Sequence, residues 1–175
     1  MIKTFIIFAH TTDGFIAPTD PAGKAMPSTV WTSGADKKKF IELTKKAGAI
    51  VMGLTTFNTI GKALPGRLNV VYAPKDTPPI EGVMMTDLSP KELLTDLENK
   101  GYEEVAICGG STIYTMFMQS GLVNKIYITI EPKLFGQGMT VFNKPISADL
   151  KLVSVEKLSD DVLFLEYDVN SKVKS

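Results

Sequence analysis

Residues 105–114 read Val105-Ala106-Ile107-Cys108-Gly109-Gly110-Ser111-Thr112-Ile113-Tyr114. The stretch begins as an apolar run, breaks at two glycines and restarts with apolar side chains at helical spacing. It predicts a buried strand, a tight turn and a helix that Ser111 opens. Paired glycines permit a close backbone approach, and the free N–H groups of a helix start attract phosphate. A phosphate-binding loop and a plain turn with Ser111 as N-cap are both open at this point.

The composition is that of an ordinary globular domain. The 175 residues are 44% hydrophobic and 22% charged, and 19 basic residues balance 19 acidic ones. This balance argues against general binding to nucleic acid or to membrane surfaces. The apolar runs are too short to span a bilayer. No small-residue cleavage site follows the apolar run in residues 1–9, which favours a strand there over a signal peptide. One cysteine excludes an internal disulfide and, with one histidine, provides no metal cluster.

Hydrophobic periodicity predicts strands that alternate with helices. Besides the strand that starts at 105 and the helix that starts at 111, strands are expected at 3–9, 49–52, 68–73, 83–86, 125–134, 151–157 and 162–169, and helices at 33–46, 56–60 and 90–99. This α/β pattern predicts a mostly parallel sheet of about eight strands, four helices on both faces and an antiparallel hairpin at the C-terminal edge. We expect one cytoplasmic domain over residues 1–170 and a loose tail over 171–175. Residues 18–30 contain three prolines and no period, so a functional lid and a mere insertion are both open.

Ligands of such sheets bind beyond the carboxyl ends of the strands. Glycine-containing loops at 13–14, 53–56 and 109–112 follow predicted strands and therefore converge on one crevice. Two of these loops open helices with hydroxyl residues, and we predict Thr55 as the cap of the 56–60 helix. A ligand with several phosphates, such as a dinucleotide, fits two helix starts, although simple capping explains the same residues.

Asp36 is the candidate acid of this crevice. It follows Ser33 by three residues and precedes Phe40 by one helical turn, on the face turned towards the core. A capping carboxylate at the positive end of the helix dipole is the simple interpretation. A carboxylate on the core face is instead partly desolvated and requires a partner. Periodicity alone leaves both interpretations open.

Several short motifs occur in one continuous order. They are Trp31-x4-Asp36-x3-Phe40, Val51-Met52-Gly53, Thr56-Phe57, Ile60-Gly61, Leu64-Pro65-Gly66-Arg67, Asn69, Gly109-Gly110 with Ile113-Tyr114, and Tyr127-Ile128-Thr129. The ordered set resembles the dihydrofolate reductase family over residues 3–168. The chain is also similar to the neighbouring RibD C-terminal reductase family in residues 12–17 and 129–136. Both families share a fold and use NADPH.

The resemblance implies an NADPH-dependent oxidoreductase that reduces 7,8-dihydrofolate to tetrahydrofolate in one-carbon metabolism. Hydride would reach the pterin carbon beside a protonated imine nitrogen, whose proton would come through water. Asp36 would bind and polarise the pterin's amidine edge, Thr129 would hydrogen-bond Asp36, and Trp31 would close the pterin end. Arg67 would pair with folate's α-carboxylate, as a fork-shaped guanidinium can. The apolar substrate slot would be lined by Ile7, Phe40, Ile60, Leu64 and Cys108.

The resemblance also implies the cofactor contacts. Ala9 and Ile16 would flank the nicotinamide, Lys75 would meet the adenosine 2′-phosphate, and residues 18–30 would form the lid. The remaining cofactor residues would be Gly53, Leu54, Thr55, Thr56, Gly109, Gly110, Ser111, Thr112, Ile113 and Tyr114. A cis peptide is implied between the two adjacent glycines.

Departures from the family pattern define the alternatives. Leu54 stands where the family usually has an arginine for the cofactor phosphates, which leaves NADH open beside NADPH. Residues 136–140 replace the usual Gly-Asp-Thr. Cys108 stands where RibD reductases commonly carry a glutamate, and Asp36 with Arg67 favours folate over a ribosylaminopyrimidine of riboflavin biosynthesis. A non-catalytic nucleotide-binding module is the alternative of another class, and a monomer and a dimer are equally open.

Overall fold

The computed structural model describes residues 1–170, so the tail predicted at 171–175 lies outside the described residues. The elements are β1 (Lys3–Thr11), α1 (Gly34–Ala47), β2 (Ala49–Gly53), α2 (Leu54–Ile60), β3 (Leu68–Tyr72), β4 (Val83–Thr86), α3 (Pro90–Asn99), β5 (Glu104–Ile107), α4 (Ser111–Gln119), β6 (Lys125–Glu131), β7 (Asp149–Lys157) and β8 (Leu163–Asn170). A short 3-10 turn at Ser28–Val30 ends the irregular segment before α1. The predicted order of strands and helices is confirmed.

One eight-stranded sheet has the order β4-β3-β2-β5-β1-β6-β8-β7. All pairs up to β6 are parallel, whereas β8 pairs antiparallel with both β6 and β7. The predicted mixed sheet with an antiparallel C-terminal edge is therefore confirmed. β6 ends at Glu131, earlier than predicted, because Pro132 has no N–H to donate to a ladder. β1 is longer than predicted and ends at Thr11, which lies beside Glu131 in the register.

Helices cover both faces of the sheet, as predicted. On one face, α3 and α4 pack against Ile6, Val51 and Ile107. On the other face, a second core contains Phe5 and Met52 from the strands, and α1 and α2 border it. Strand side chains alternate between these two cores, so the central strands must be apolar on both faces.

Helix ends explain how the chain enters and leaves the sheet. The Ser33 hydroxyl accepts a hydrogen bond from the Asp36 N–H at 3.1 Å and caps α1, and Gly48 ends that helix in the left-handed region at φ 79°. The predicted N-cap Thr55 of α2 is wrong, and Ser111 is not the N-cap of α4. Gly53 precedes α2 and Gly110 precedes α4, so Thr55 lies within the first turn of α2.

The reason is the backbone pairing at the strand ends. The Gly53 N–H donates to the Gly109 carbonyl at 2.8 Å, so the extended chain continues to the glycine and the helix begins at the next residue. The Ser111 hydroxyl donates instead to the Thr140 carbonyl at 2.6 Å. Among residues 1–170, no helix combines the length and apolar character that crossing a membrane requires.

Candidate active site

The turn Gly109-Gly110 between β5 and α4, here called the glycine joint, lies where the starts of α2 and α4 meet. Gly109 has a φ of +111° and is joined to Gly110 by a cis peptide, as expected. A Cβ on Gly110 would lie 3.2 Å from the Thr56 hydroxyl oxygen, and one on Gly53 would lie 3.2 Å from Ile113 Cγ1. Side chains at these glycines would therefore fill the space at the carboxyl ends of β2 and β5.

Polar contacts hold α4 against its neighbours. The Asn143 amide donates to the Thr112 hydroxyl at 2.9 Å on the exposed side of the helix. On the buried side, the Tyr114 hydroxyl donates to the Ile7 carbonyl at 2.8 Å. Burial raises the pKa of Tyr114 well above its usual value, so the phenol remains a donor. The residues predicted for the cofactor at this helix therefore share one end of the sheet with Ile7 of the predicted substrate slot.

Asp36 lies in the first turn of α1 and is only partly exposed. Burial raises the pKa of its carboxyl above the usual value, and the negative charge of Glu131 raises this pKa further. Hydrogen bonding from the Thr129 and Thr32 hydroxyls and the nearby Lys37 charge act in the opposite direction on the same pKa. Thr129, the partner that the resemblance implies, is therefore among the groups close to the Asp36 carboxyl.

Sequence reasoning missed Glu131, the second carboxylate of this region. Glu131 is 1% exposed, and its Oε1 atom accepts hydrogen bonds from the Ser33 N–H at 2.8 Å and the Ser33 hydroxyl at 2.7 Å. The only signal in the sequence is a charged residue that closes the alternating strand 125–131. That signal gave no indication of a partner in α1.

The residues predicted to line the substrate slot do meet. Ile7, Phe40, Ile60, Leu64 and Cys108 all belong to or pack against the core beside α1 and α2. Leu54, predicted on the cofactor side, packs against the same core. Burial raises the pKa of the Cys108 thiol to about 12, so the thiol stays neutral and packs as a small apolar side chain.

The turn before β3 positions Arg67, and Asn69 braces it. The buried Asn69 amide accepts from the Leu64 N–H at 2.8 Å and donates to the carbonyls of Leu64 and Arg67 at 2.8 and 2.9 Å. The Arg67 Nε and Nη1 atoms are buried and have no hydrogen-bond partner among residues 1–170. Burial lowers the pKa of this guanidinium, and the neighbouring Cys108 offsets part of that change. Buried donors of this kind favour a hydrogen-bond acceptor, and a guanidinium pairs most strongly with an anionic one.

Trp31 is 8% exposed and packs edge-on against Phe135, with 5.2 Å between ring centroids. Its Nε1 is buried without a partner among the described residues. The predicted lid begins next to the same loop, because the Ile16 N–H donates to the Met139 carbonyl and the Met139 N–H donates to the Ala17 carbonyl, both at 2.9 Å. Trp31 and the start of the predicted lid therefore contact the same loop, at Phe135 and Met139.

Two further residues predicted for the cofactor, Ala9 and Lys75, lie in different parts of the structure. Ala9 is buried in β1 and lies beside Thr129 in the register. Lys75 is 86% exposed in its side chain and forms an ion pair with Asp87 at 3.2 Å. Within residues 1–170, no three histidine, cysteine, aspartate or glutamate side chains are grouped as a metal site would require.

Residues 5–170 match the family model described as dihydrofolate reductase. The chain belongs to the dihydrofolate reductase family. It is 33% identical over 127 residues to the dihydrofolate reductase of Staphylococcus haemolyticus, which covers 73% of this chain and 72% of that protein. Membership of this family makes the chain an oxidoreductase enzyme.

Solved structures show the same fold. Dihydrofolate reductase from Enterococcus faecalis, complexed with NADP(H) and RAB-propyl, superposes with a TM-score of 0.70 at 24% identity, and the match covers 96% of both chains. A Thermotoga maritima diaminohydroxyphosphoribosylaminopyrimidine deaminase/5-amino-6-(5-phosphoribosylamino)uracil reductase superposes with a TM-score of 0.76 at 18% identity, over 97% of this chain and 57% of that chain. The dihydrofolate reductase family and the riboflavin-pathway reductases therefore share this architecture.

Proposed function

We propose that this protein reduces 7,8-dihydrofolate to tetrahydrofolate with NADPH. The proposal rests on two polar groups that flank one apolar core: Asp36 lies one helical turn before Phe40, Arg67 lies in the turn that follows Leu64, and Phe40 and Leu64 both pack against that core. Asp36 provides a partly buried carboxyl beside Thr129, and Arg67 provides buried guanidinium donors that lack a partner among residues 1–170. A ligand with a flat amidine group at one end and a carboxylate at the other satisfies both.

Asp36 binds the pterin in this proposal. Its carboxylate accepts two N–H bonds from the 2-aminopyrimidine edge, and its negative charge favours the protonated imine. Thr129 and Thr32 orient the carboxyl through their hydroxyls. Asp36 is the only acid that we assign to substrate contact, so the imine proton arrives through water. Trp31 closes the pterin end and excludes bulk solvent from it.

Arg67 binds the other end of the substrate. Its planar guanidinium pairs with the α-carboxylate of folate through two parallel hydrogen bonds. The side chains of Phe40, Ile60 and Leu64 line the apolar span between the two charged ends. The Asn69 brace keeps the turn that carries Arg67 in one conformation.

The nicotinamide cofactor fits the glycine joint. Side chains are absent at Gly53, Gly109 and Gly110, and a Cβ at Gly110 would approach Thr56 to 3.2 Å. The N–H groups at the start of α4 provide donors for the cofactor phosphates. Ala9 and Ile16 are proposed to flank the nicotinamide, and Lys75 to reach the 2′-phosphate. When bound, the cofactor supplies the hydride.

A riboflavin-pathway reductase is the second candidate, because the fold similarity to the Thermotoga maritima protein is strong. That protein's substrate carries a ribose phosphate, which requires cationic partners. Arg67 is the one cation that we place in the slot, and it lies beside the apolar Cys108. The slot therefore supports dihydrofolate better.

The deciding experiment mixes the purified protein with NADPH and either dihydrofolate or the ribosylaminopyrimidine, and follows the loss of absorbance of the reduced nicotinamide. Oxidation with dihydrofolate alone supports the proposal. Oxidation with the pyrimidine alone assigns the second candidate, and oxidation with neither favours a nucleotide-binding module. Parallel reactions with NADH test whether Leu54 relaxes the choice of cofactor, since a neutral side chain at that position weakens selection for the 2′-phosphate that distinguishes NADPH from NADH.

A further inference from the structure

Glu131 is a fully buried carboxylate for which the proposed chemistry has no use. It ends β6, and its side chain crosses to the start of α1, where one oxygen accepts two hydrogen bonds from Ser33. The Ser33 hydroxyl in turn accepts from the Asp36 N–H at 3.1 Å. A continuous hydrogen-bonded path therefore runs from Glu131 through Ser33 to the backbone of Asp36.

The backbone of Glu131 joins a third segment to this path. Its carbonyl accepts from the Thr12 hydroxyl at 3.2 Å and from the Lys133 N–H at 2.8 Å. Thr11 lies beside Glu131 in the parallel register. One residue thus connects the end of β1, the end of β6 and the start of α1, which carries Asp36.

A purely structural role does not require a charge at this position. Burial of a carboxylate costs free energy unless hydrogen bonds and charges compensate for it. Ser33 caps α1 with its own hydroxyl, so Glu131 is not needed to accept from the Asp36 N–H. What Glu131 adds is a fixed direction for Ser33 and a negative charge close to Asp36.

We propose that Glu131 is a positioning residue of the reductase site, which acts through Ser33 to hold the first turn of α1 and thereby the Asp36 carboxyl. This inference rests on the proposed role of Asp36 in binding the pterin. The chain of contacts is specific, because both donors of Ser33 converge on the same Oε1 atom.

The charge of Glu131 gives the inference a second consequence. The charged and titratable groups that influence Asp36 are Glu131 on β6, Lys37 on α1 and Tyr114 on α4. Glu131 raises the pKa of Asp36, whereas Lys37 lowers it. Removal of the Glu131 charge alone should therefore lower the pKa of Asp36.

The test compares Glu131→Gln, which keeps an oxygen acceptor for Ser33, with Glu131→Leu, which removes it. Asp36 is titrated directly by carbon NMR of its labelled carboxyl, with Asp36→Asn to assign the signal. We expect Glu131→Gln to shift the Asp36 titration to lower pH and the pH profile of kcat/KM with it. Glu131→Leu should lower kcat by tenfold or more at every pH, since a displacement of about 1 Å can cost roughly 10²-fold.

Glu166→Gln is the matched control, because it removes one carboxylate from β8 at the Lys125 ion pair, away from Asp36. It should leave the Asp36 titration unchanged. Ser33→Ala should reproduce part of the kcat loss, and it decides the positioning role if Glu131→Leu fails to fold. A kcat that is unchanged in folded Glu131→Leu and Ser33→Ala proteins overturns the positioning role, and an Asp36 titration that is identical in Glu131→Gln and the unmodified protein overturns the effect of the charge. The titration needs no substrate, so failure of the proposed function is seen separately in the reductase assay.

Discussion

The Tyr114 hydroxyl donates a hydrogen bond to the Ile7 carbonyl at 2.8 Å and joins α4 to β1 in the interior. The two residues are 107 positions apart in the chain. Ile7 is a predicted wall of the substrate slot, and Tyr114 is a predicted cofactor contact. This bond therefore joins a residue predicted for the substrate slot to one predicted for the cofactor.

Tyr114→Phe should test this connection with minimal change in shape. We expect the free energy of unfolding to fall by about 1 kcal/mol, since a neutral buried hydrogen bond contributes roughly that amount. Urea unfolding measures the loss, and an unchanged m-value shows that the variant keeps its compactness. Tyr102→Phe is the control, because it removes the same atom from a tyrosine that is partly exposed. Equal stability of Tyr114→Phe and the unmodified protein would show that the bond contributes nothing.

Asp36→Asn should remove the charge that favours protonation of the pterin. We expect kcat near neutral pH to fall by about 10²-fold or more, which is the usual range for the loss of an acid or base function. Steady-state kinetics and far-UV circular dichroism of the same sample separate lost chemistry from lost folding. A folded Asp36→Asn protein with unchanged turnover would refute the assignment.

The same substitution should change stability with a definite pH dependence. Because the pKa of Asp36 is raised above its ordinary value of 3.8, its protonated form stabilises the folded state below that value. This contribution is lost as the pH rises through the raised pKa of the folded protein. The Tm of Asp36→Asn, relative to that of the unmodified protein, should therefore increase from pH 4 towards pH 7. A constant difference over this range would contradict the burial of the carboxyl.

Arg67→Leu should weaken binding of dihydrofolate far more than binding of NADPH. Hydrogen bonds to charged groups are worth about 1.5–3 kcal/mol, so the Kd for folate should rise roughly 10–100-fold. Fluorescence titrations with each ligand measure the two effects. Arg67→Lys keeps the charge but lacks the planar, two-pronged guanidinium, so its Kd for folate should lie between those of the unmodified protein and Arg67→Leu. Equal loss for both ligands would argue against a carboxylate partner.

Gly138→Ala should disturb the base of the predicted lid. A Cβ at Gly138 would overlap the Ala17 carbonyl oxygen and approach Phe15 Cβ to 3.3 Å, and a backbone atom cannot rotate away as a side-chain end can. We expect the hydrogen bonds between Met139 and residues 16–17 to break and amide exchange there to accelerate. Hydrogen–deuterium exchange measures this change. Gly34→Ala is the matched control, since a Cβ at Gly34 meets nothing within 4 Å, and it should leave the exchange unaltered.

Local sequence patterns were sufficient to predict the order of the helices and strands and to single out Asp36. Alternation and apolar runs predicted the strands, and Gly48 and Ser33 marked the ends of α1 correctly. Asp36 was recognisable because it combines a charge with a position on the core face of a helix. The ordered motifs placed Phe40, Ile60 and Leu64 together before the structure did.

Only the tertiary structure revealed the contacts that hold these residues in place. The Ser33–Glu131 bonds connect positions 98 residues apart, and the crossing depends on β6 lying beside β1 in the sheet. The helix caps at Gly53 and Gly110 depend on the pairing between Gly53 and Gly109, which no local pattern contains. The sequence by itself determined the helices and strands, because their periodicity is a short-range property. The partners of buried charges and the starts of α2 and α4 depend on strand order, which follows from packing of the whole chain.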